Sequence, residues 1–161
     1  MYGYERIWVM DWEIEASMAL RALVAALLGA FIGWEREQHG REAGIRTYAA
    51  VSLGACVFGL VSAHVIGASD PTRIAAGVVT GVGFLGAGVI LREQGRVAGL
   101  TTAATIWATA SVGLAIAYGM YLLGVLTALI IFGLLALHHL PAWHKIKGKA
   151  KRHPHPEEHR P

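Results

Sequence analysis

Charged side chains along this chain come in clusters, and the stretches between the clusters are long and apolar. Residues 47–69, 74–91 and 97–144 run for 23, 18 and 48 positions without an Asp, Glu, Lys or Arg. Roughly 20 apolar residues in a helix cross the hydrocarbon layer of a bilayer, so runs of this kind predict transmembrane helices. Together with the apolar stretch that precedes the first loop, they predict five helices, at about 16–34, 47–66, 74–91, 100–118 and 120–140. The 48-residue run is too long for one crossing and divides at Tyr118-Gly119-Met120, and Pro141 stops the last helix. The expected fold class is all-α, a polytopic membrane protein. An external segment precedes the bundle at 1–15 and a basic tail follows it at 141–161.

Composition agrees. Of 161 residues, 55% are hydrophobic and only 16% charged, with a mean hydropathy of +0.48, where a soluble domain carries about a quarter charged residues. The one cysteine, Cys56, falls in an apolar run and has no intrachain partner for a disulfide. The leader holds Glu5, Asp11, Glu13 and Glu15, unlike the basic start of a cleavable signal, so the first apolar segment is read as a mature span.

Charge placement sets an orientation. With five spans, the loop at 35–46, the loop at 92–99 and the tail share one side and hold 11 of the 14 Lys and Arg residues, leaving Arg6, Arg21 and Arg73 for the other. The positive-inside rule then predicts a cytoplasmic C-terminus and an external N-terminus in the bacterial inner membrane. Trp34 and Trp143 fall at the cytoplasmic boundary, where indole rings favour the headgroup layer. The tail, KIKGKAKRHPHPEEHRP, is expected to be disordered and held against anionic lipid.

The chain repeats itself. REQHGREAGIRTYAA (36–50) and REQGRVAGLTTAA (92–104) run in step once His39 is dropped, and Leu-Gly-Ala precedes each. Both copies join one helix to the next on the same side, which predicts a parallel duplication of a two-helix hairpin. Gly40 and Gly95 suit a turn where a Cβ would clash, and Gly44 and Gly99 fit a close helix entry. The unmatched positions point elsewhere: Glu35 stands opposite Leu91, Glu42 opposite Val97 and Arg46 opposite Thr101, so a binding site should lean toward the first loop.

Gly29-x-x-x-Gly33 and Gly77-x-x-x-Gly81 are small-xxx-small patterns that let membrane helices approach closely. With Gly83, Gly86 and Gly88 on the same helix, the third helix packed on the fourth or the first is expected to form the centre. Asp70 and Pro71 read as a helix start. Asp70, Arg73 and Arg21 form either an ion cluster or an ordinary cap with two snorkelling arginines. Thr101, Thr102, Thr105, Thr109 and Ser111 can return hydrogen bonds to their own helix. Apart from Arg21, no formal charge is expected well inside a span. The chain has no Walker loop, HExxH, GxSxG or CxxC, which leaves an enzyme without a supporting motif.

GWEREQHGREAGIRT (33–47), DPTRIAAGVVTGVGFLGAGVIL (70–91) and GLTTAATIWATASVGLAI (99–116) together resemble the MgtC/SapB family of bacterial inner-membrane proteins, over about residues 18–118. The resemblance implies a multi-spanning helical domain linked to growth at low magnesium and survival inside host cells. It also implies, for the best-known member, inhibitory regulation of the proton-translocating ATP synthase. Carried over by motif, the charged positions are Glu35, Arg36, Glu37, Arg41 and Arg46 in the first loop, with Asp70 and Arg73 in the second. Virulence-type members continue into a soluble C-terminal domain where this chain has a short tail. They carry Leu-Asn-Thr where it has Leu100-Thr101-Thr102, so it is similar to the shorter SapB-like branch.

Two functions fit this reading. One is a non-enzymatic regulator that binds another membrane complex. The other is a small magnesium or proton transporter or channel component, with Glu35 and Asp70 as ligands and an oligomeric pore lined by the third helix. The expected partners are the lipid bilayer, another membrane complex and further copies of the chain, with no nucleic acid and no cofactor.

Overall fold

A computed structural model describes residues 11–64, 73–93 and 96–137. Residues 1–10, Asp70 with its predicted cap, and the tail with Trp143 lie outside the described residues. The order is α1 (Trp12–Gln38), α2 (Ile45–His64), α3 (Arg73–Val89), β1 (Leu91–Glu93), β2 (Arg96–Ala98), α4 (Leu100–Ala117) and α5 (Tyr121–Ala136). The protein is an all-α bundle of five described helices. By length and composition α1, α2 and α4 can each cross a membrane, and α3 and α5 are shorter apolar helices.

Helix α1 extends beyond its expected bounds of 16–34 at both ends. Asp11 begins it by accepting from the Glu13 amide at 3.2 Å, and Glu13 and Glu15 place negative charge in its first turn, where the helix dipole favours it. Its far end closes at Gly40, whose φ of 64° needs no Cβ. The Gly40 amide donates to the Glu37 carbonyl and the Arg41 amide to the Arg36 carbonyl. Helix α4 ends the same way at Gly119, with the Gly119 amide on Ile116 and the Met120 amide on Ala115.

The centre of the bundle is α4, which packs against each of the other four helices. Ile32, Tyr48, Ile106, Val112 and Ile131 form its main core, and Ala25, Cys56, Leu60 and Ile116 a second. Helix α5 adds Ala128, Ile131 and Leu135 to the core and turns Leu122, Ile130 and Leu134 outward. Phe31 and Phe132 stack at 4.4 Å between α1 and α5.

The expectation that the third helix makes the centre is corrected. A Cβ added at Gly77, Gly81, Gly83 or Gly88 would meet nothing within 4 Å, and on α3 only Gly86 touches a neighbour, Ala103. The helix stands at the edge, so its bare backbone faces open space. Close approach occurs instead at Gly29 and Gly33 of α1. A Cβ at Gly33 would stand 2.7 Å from the Gly44 carbonyl oxygen, and one at Gly29 2.8 Å from Ser52 Cβ. Gly113, on the small-sided fourth helix, is as tight against the Ser52 carbonyl, and Gly59 and Gly124 are tight against Ala117 and Ile116.

The two copies keep one contact in common. Gly29 meets the Tyr48 carbonyl, and at the equivalent positions Gly86 meets the Ala103 carbonyl. Both following helices start on the matched glycine, with the Tyr48 amide on the Gly44 carbonyl and the Ala103 amide on Gly99. Between these landmarks the same words fold differently. In the first copy Arg36-Glu37-Gln38 finishes α1, and in the second Arg92 and Glu93 belong to a strand, with Leu91 paired to Ala98 and Glu93 to Arg96.

Candidate functional site

Because α1 runs on to Gln38, Glu35, Arg36 and Glu37, expected in a loop, sit on a helix instead. Glu35 and Arg36 are 4% and 7% exposed. Both belong to the last turns of α1, at one end of the bundle, where neighbouring helices shield them. An ionisable residue within a transmembrane helix is costly and marks function unless it has a partner. Arg36 Nη2 donates to Thr102 Oγ1 of α4 at 2.9 Å. Tyr48, fully buried beside them, is 2.6 Å from Thr105 Oγ1. Thr105 spends its one proton on the Thr101 carbonyl, at 2.9 Å, so the Tyr48 hydroxyl is the donor of that pair.

Glu35 is held by a residue that the sequence reading set aside. His39 Nδ1 lies 3.2 Å from Glu35 Oε1 and 2.7 Å from the Glu35 carbonyl oxygen. His39 is the extra residue of the first copy and Glu35 one of its unmatched charges. The two departures from the repeat are thus partners, one helical turn apart. The i,i+4 spacing was the available signal.

Glu35, Arg36, His39 and Arg41 border a cavity of about 500 Å³ with Thr101, Thr102 and Gly99 of the α4 start, Leu134 and Leu135 of α5, and Leu137 at the α5 C-cap. Glu37, Arg41 and Arg46 line a neighbouring one of about 460 Å³ with Glu42 and Gly44. The expected loop residues therefore divide between two adjoining hollows. Arg73 stands exposed at the first turn of α3, apart from both. At the other end of α4, Arg21 Nη1 donates to the Ala117 carbonyl at 2.9 Å, placing a cation on the helix C-terminus. Among the described residues no three His, Cys, Asp or Glu converge as a metal set.

Glu37 has a structural task. Its Oε2 accepts from the Ile45 amide at 2.9 Å, the first residue of α2. Glu37→Ala should cost about 1 kcal/mol, the usual loss for a helix cap. Glu37→Gln, which keeps an acceptor, should cost less. Thermal unfolding in detergent measures both, and amide exchange at Ile45 should quicken only in the alanine variant.

Apolar helices that surround buried charge at one end define a polytopic α-helical membrane protein. A family model described as the MgtC family matches residues 22–142, and the chain belongs to that family. Its relatives include the "Putative magnesium transporter YhiD" of Escherichia coli K12, 42% identical over 77% of this chain and 61% of that protein. Protein MgtC of Brucella abortus is 47% identical over 69% of this chain and 47% of its own length. Protein MgtC of Salmonella typhimurium is 50% identical over 63% and 44%. The chain thus spans about half the length of the curated relatives it matches. No solved structure matches it.

Proposed function

We propose that this chain is a non-enzymatic inner-membrane protein that regulates another membrane complex during adaptation to low magnesium or a related stress. The observation that supports it is the closure of the bundle between its two ends. Gly29, Gly59 and Gly113 bring α1, α2 and α4 so close that none has room for a Cβ. Between the charged ends, the buried polar side chains among the described residues are Ser52, Ser62 and Thr109, all without charge. A protomer filled in this way gives a hydrated ion no wet route, since an ion path through a membrane is ordinarily marked by charge or open polar space. Action through a surface is the alternative, and the positive-inside rule favours the cytoplasmic side for the Glu35–Arg41 end.

Cation transport is the second reading. It is favoured by the buried Glu35 carboxylate and by the printed name of the Escherichia coli relative. Reconstitution separates the two. The regulator is expected to pass neither magnesium nor protons in sealed liposomes, while a crosslinker placed at Arg46 captures a defined membrane complex. Magnesium or proton flux that disappears in Glu35→Gln would overturn the regulator and establish the transporter.

A further inference from the structure

The cavity beside Arg36 has the parts of an anion site. It opens on the first turn of α4, an 18-residue helix whose N-cap is Gly99 and has no side chain to accept from the helix amides. The first bond from this turn back to Gly99 comes from the Ala103 amide, so those of Leu100, Thr101 and Thr102 precede it. Free amides and the positive end of the helix dipole favour an anion there. A second and independent feature is Arg36, on the wall of the same cavity. Its Nη2 is taken by Thr102, but its Nε is buried with no hydrogen-bond partner. A guanidinium that is more than nine-tenths buried and incompletely bonded is costly to keep unless something negative shares its surroundings.

The charge count at the cavity agrees. Arg36 and Arg41 contribute two positive charges against one carboxylate, Glu35, and that carboxylate already has His39 beside it. The hydroxyls of Thr101 and Thr102 add neutral polar groups. The cavity is also lined by Leu134 and Leu135 of α5 and by Leu137 at its C-cap, apolar groups suited to acyl chain rather than water.

We propose that this cavity binds a phosphate-bearing anion, either a lipid headgroup or free phosphate, between the α4 N-terminus and the guanidinium groups of Arg36 and Arg41. The polar half recognises the phosphate and the leucines recognise what is attached to it. Basic pockets between membrane helices take anionic headgroups by this division of labour. Occupancy is compatible with either role above, so anion binding can fail while partner capture succeeds, and the reverse.

The test uses the full chain, purified in a zwitterionic detergent and titrated in separate arms with phosphatidylglycerol, phosphatidylcholine and inorganic phosphate. Bound lipid is counted by native mass spectrometry and stability is followed by thermal unfolding. One phosphatidylglycerol is expected to be retained in preference to phosphatidylcholine. Stabilisation by millimolar inorganic phosphate alone would make free phosphate the source and leave the site assigned. Thr101→Asp sets a carboxylate in the first turn of α4. That suits the helix dipole, so the fold survives, yet it repels an anion. This variant should weaken retention about tenfold, the loss of one hydrogen bond to a charged group. Arg41→Gln, at an exposed position, should weaken it by a similar factor and serves if the first variant does not fold. Equal retention of both lipids with no response to phosphate overturns the proposal. So does binding by both variants that matches the wild type, which would mark lipid held by the basic tail.

Discussion

Gly33→Val should unfold this protein far more readily than an exchange of glycine for alanine at Gly77 or Gly81 of the second small-xxx-small motif. The added Cβ meets the Gly44 carbonyl oxygen and the Ile45 Cα, each at 2.7 Å, and both belong to backbone. A side chain could rotate away, but the start of α2 cannot move without breaking the bond from the Ile45 amide to Glu37. Overpacking of a tight interior costs about 1–3 kcal/mol, and the upper end applies where backbone must shift. Gly77→Ala and Gly81→Ala, in a motif of identical spacing, should leave stability unchanged or slightly raised. Nothing stands within 4 Å of either position, and alanine favours a helix over glycine by up to about 1 kcal/mol. Thermal unfolding followed by size-exclusion chromatography in detergent compares them directly. Equal losses from the two motifs would mean that α3 is packed as tightly as α1.

Arg36→Met should produce the second large effect. It removes the donor to Thr102 while Glu35 stays buried beside the gap. Hydrogen bonds to charged groups contribute roughly 1.5–3 kcal/mol, and leaving the partner unsatisfied adds to the loss. Arg36→Lys should recover little, because an ammonium cannot reproduce the planar fork of the guanidinium. Thr102→Val removes the other half at nearly constant volume. In a double-mutant cycle the pair should lose less than the sum of its members, with a coupling of roughly 0.5–3 kcal/mol. Strict additivity would show that the 2.9 Å contact contributes nothing.

The number of helices could be read from the charge-free runs because hydrocarbon imposes a length on whatever crosses it. The division at Tyr118-Gly119-Met120 could be read too, since glycine just past a helical stretch supplies the left-handed residue that closes it. Reading failed where charge was equated with loop. Glu35 and Arg36 follow the last apolar residue of the first run, so by composition that run stops at Trp34. The partner of Arg36 is Thr102, which lies 66 positions along the chain from it. Composition misleads again at α3, whose glycines have the spacing of a packing face while only Gly86 of them meets a neighbour. Small residues permit close approach, but which helix approaches is decided by where α3 sits in the bundle. The repeat was the most useful guide to the site. Its unmatched residues Glu35 and His39 are in contact, although the alignment discarded His39 as a gap.

By itself the sequence determined that this chain folds as apolar helices, with charge bunched between long charge-free runs. Those properties follow from local composition and from the cost of moving charge and open backbone into hydrocarbon. Only the tertiary structure decided that α4 lies at the centre, that one glycine motif is filled and the other open, and that two charges are buried beside a cavity. Each of those depends on which residues meet across long separations in the chain, and a side chain's cost of burial is set by the partner it finds there.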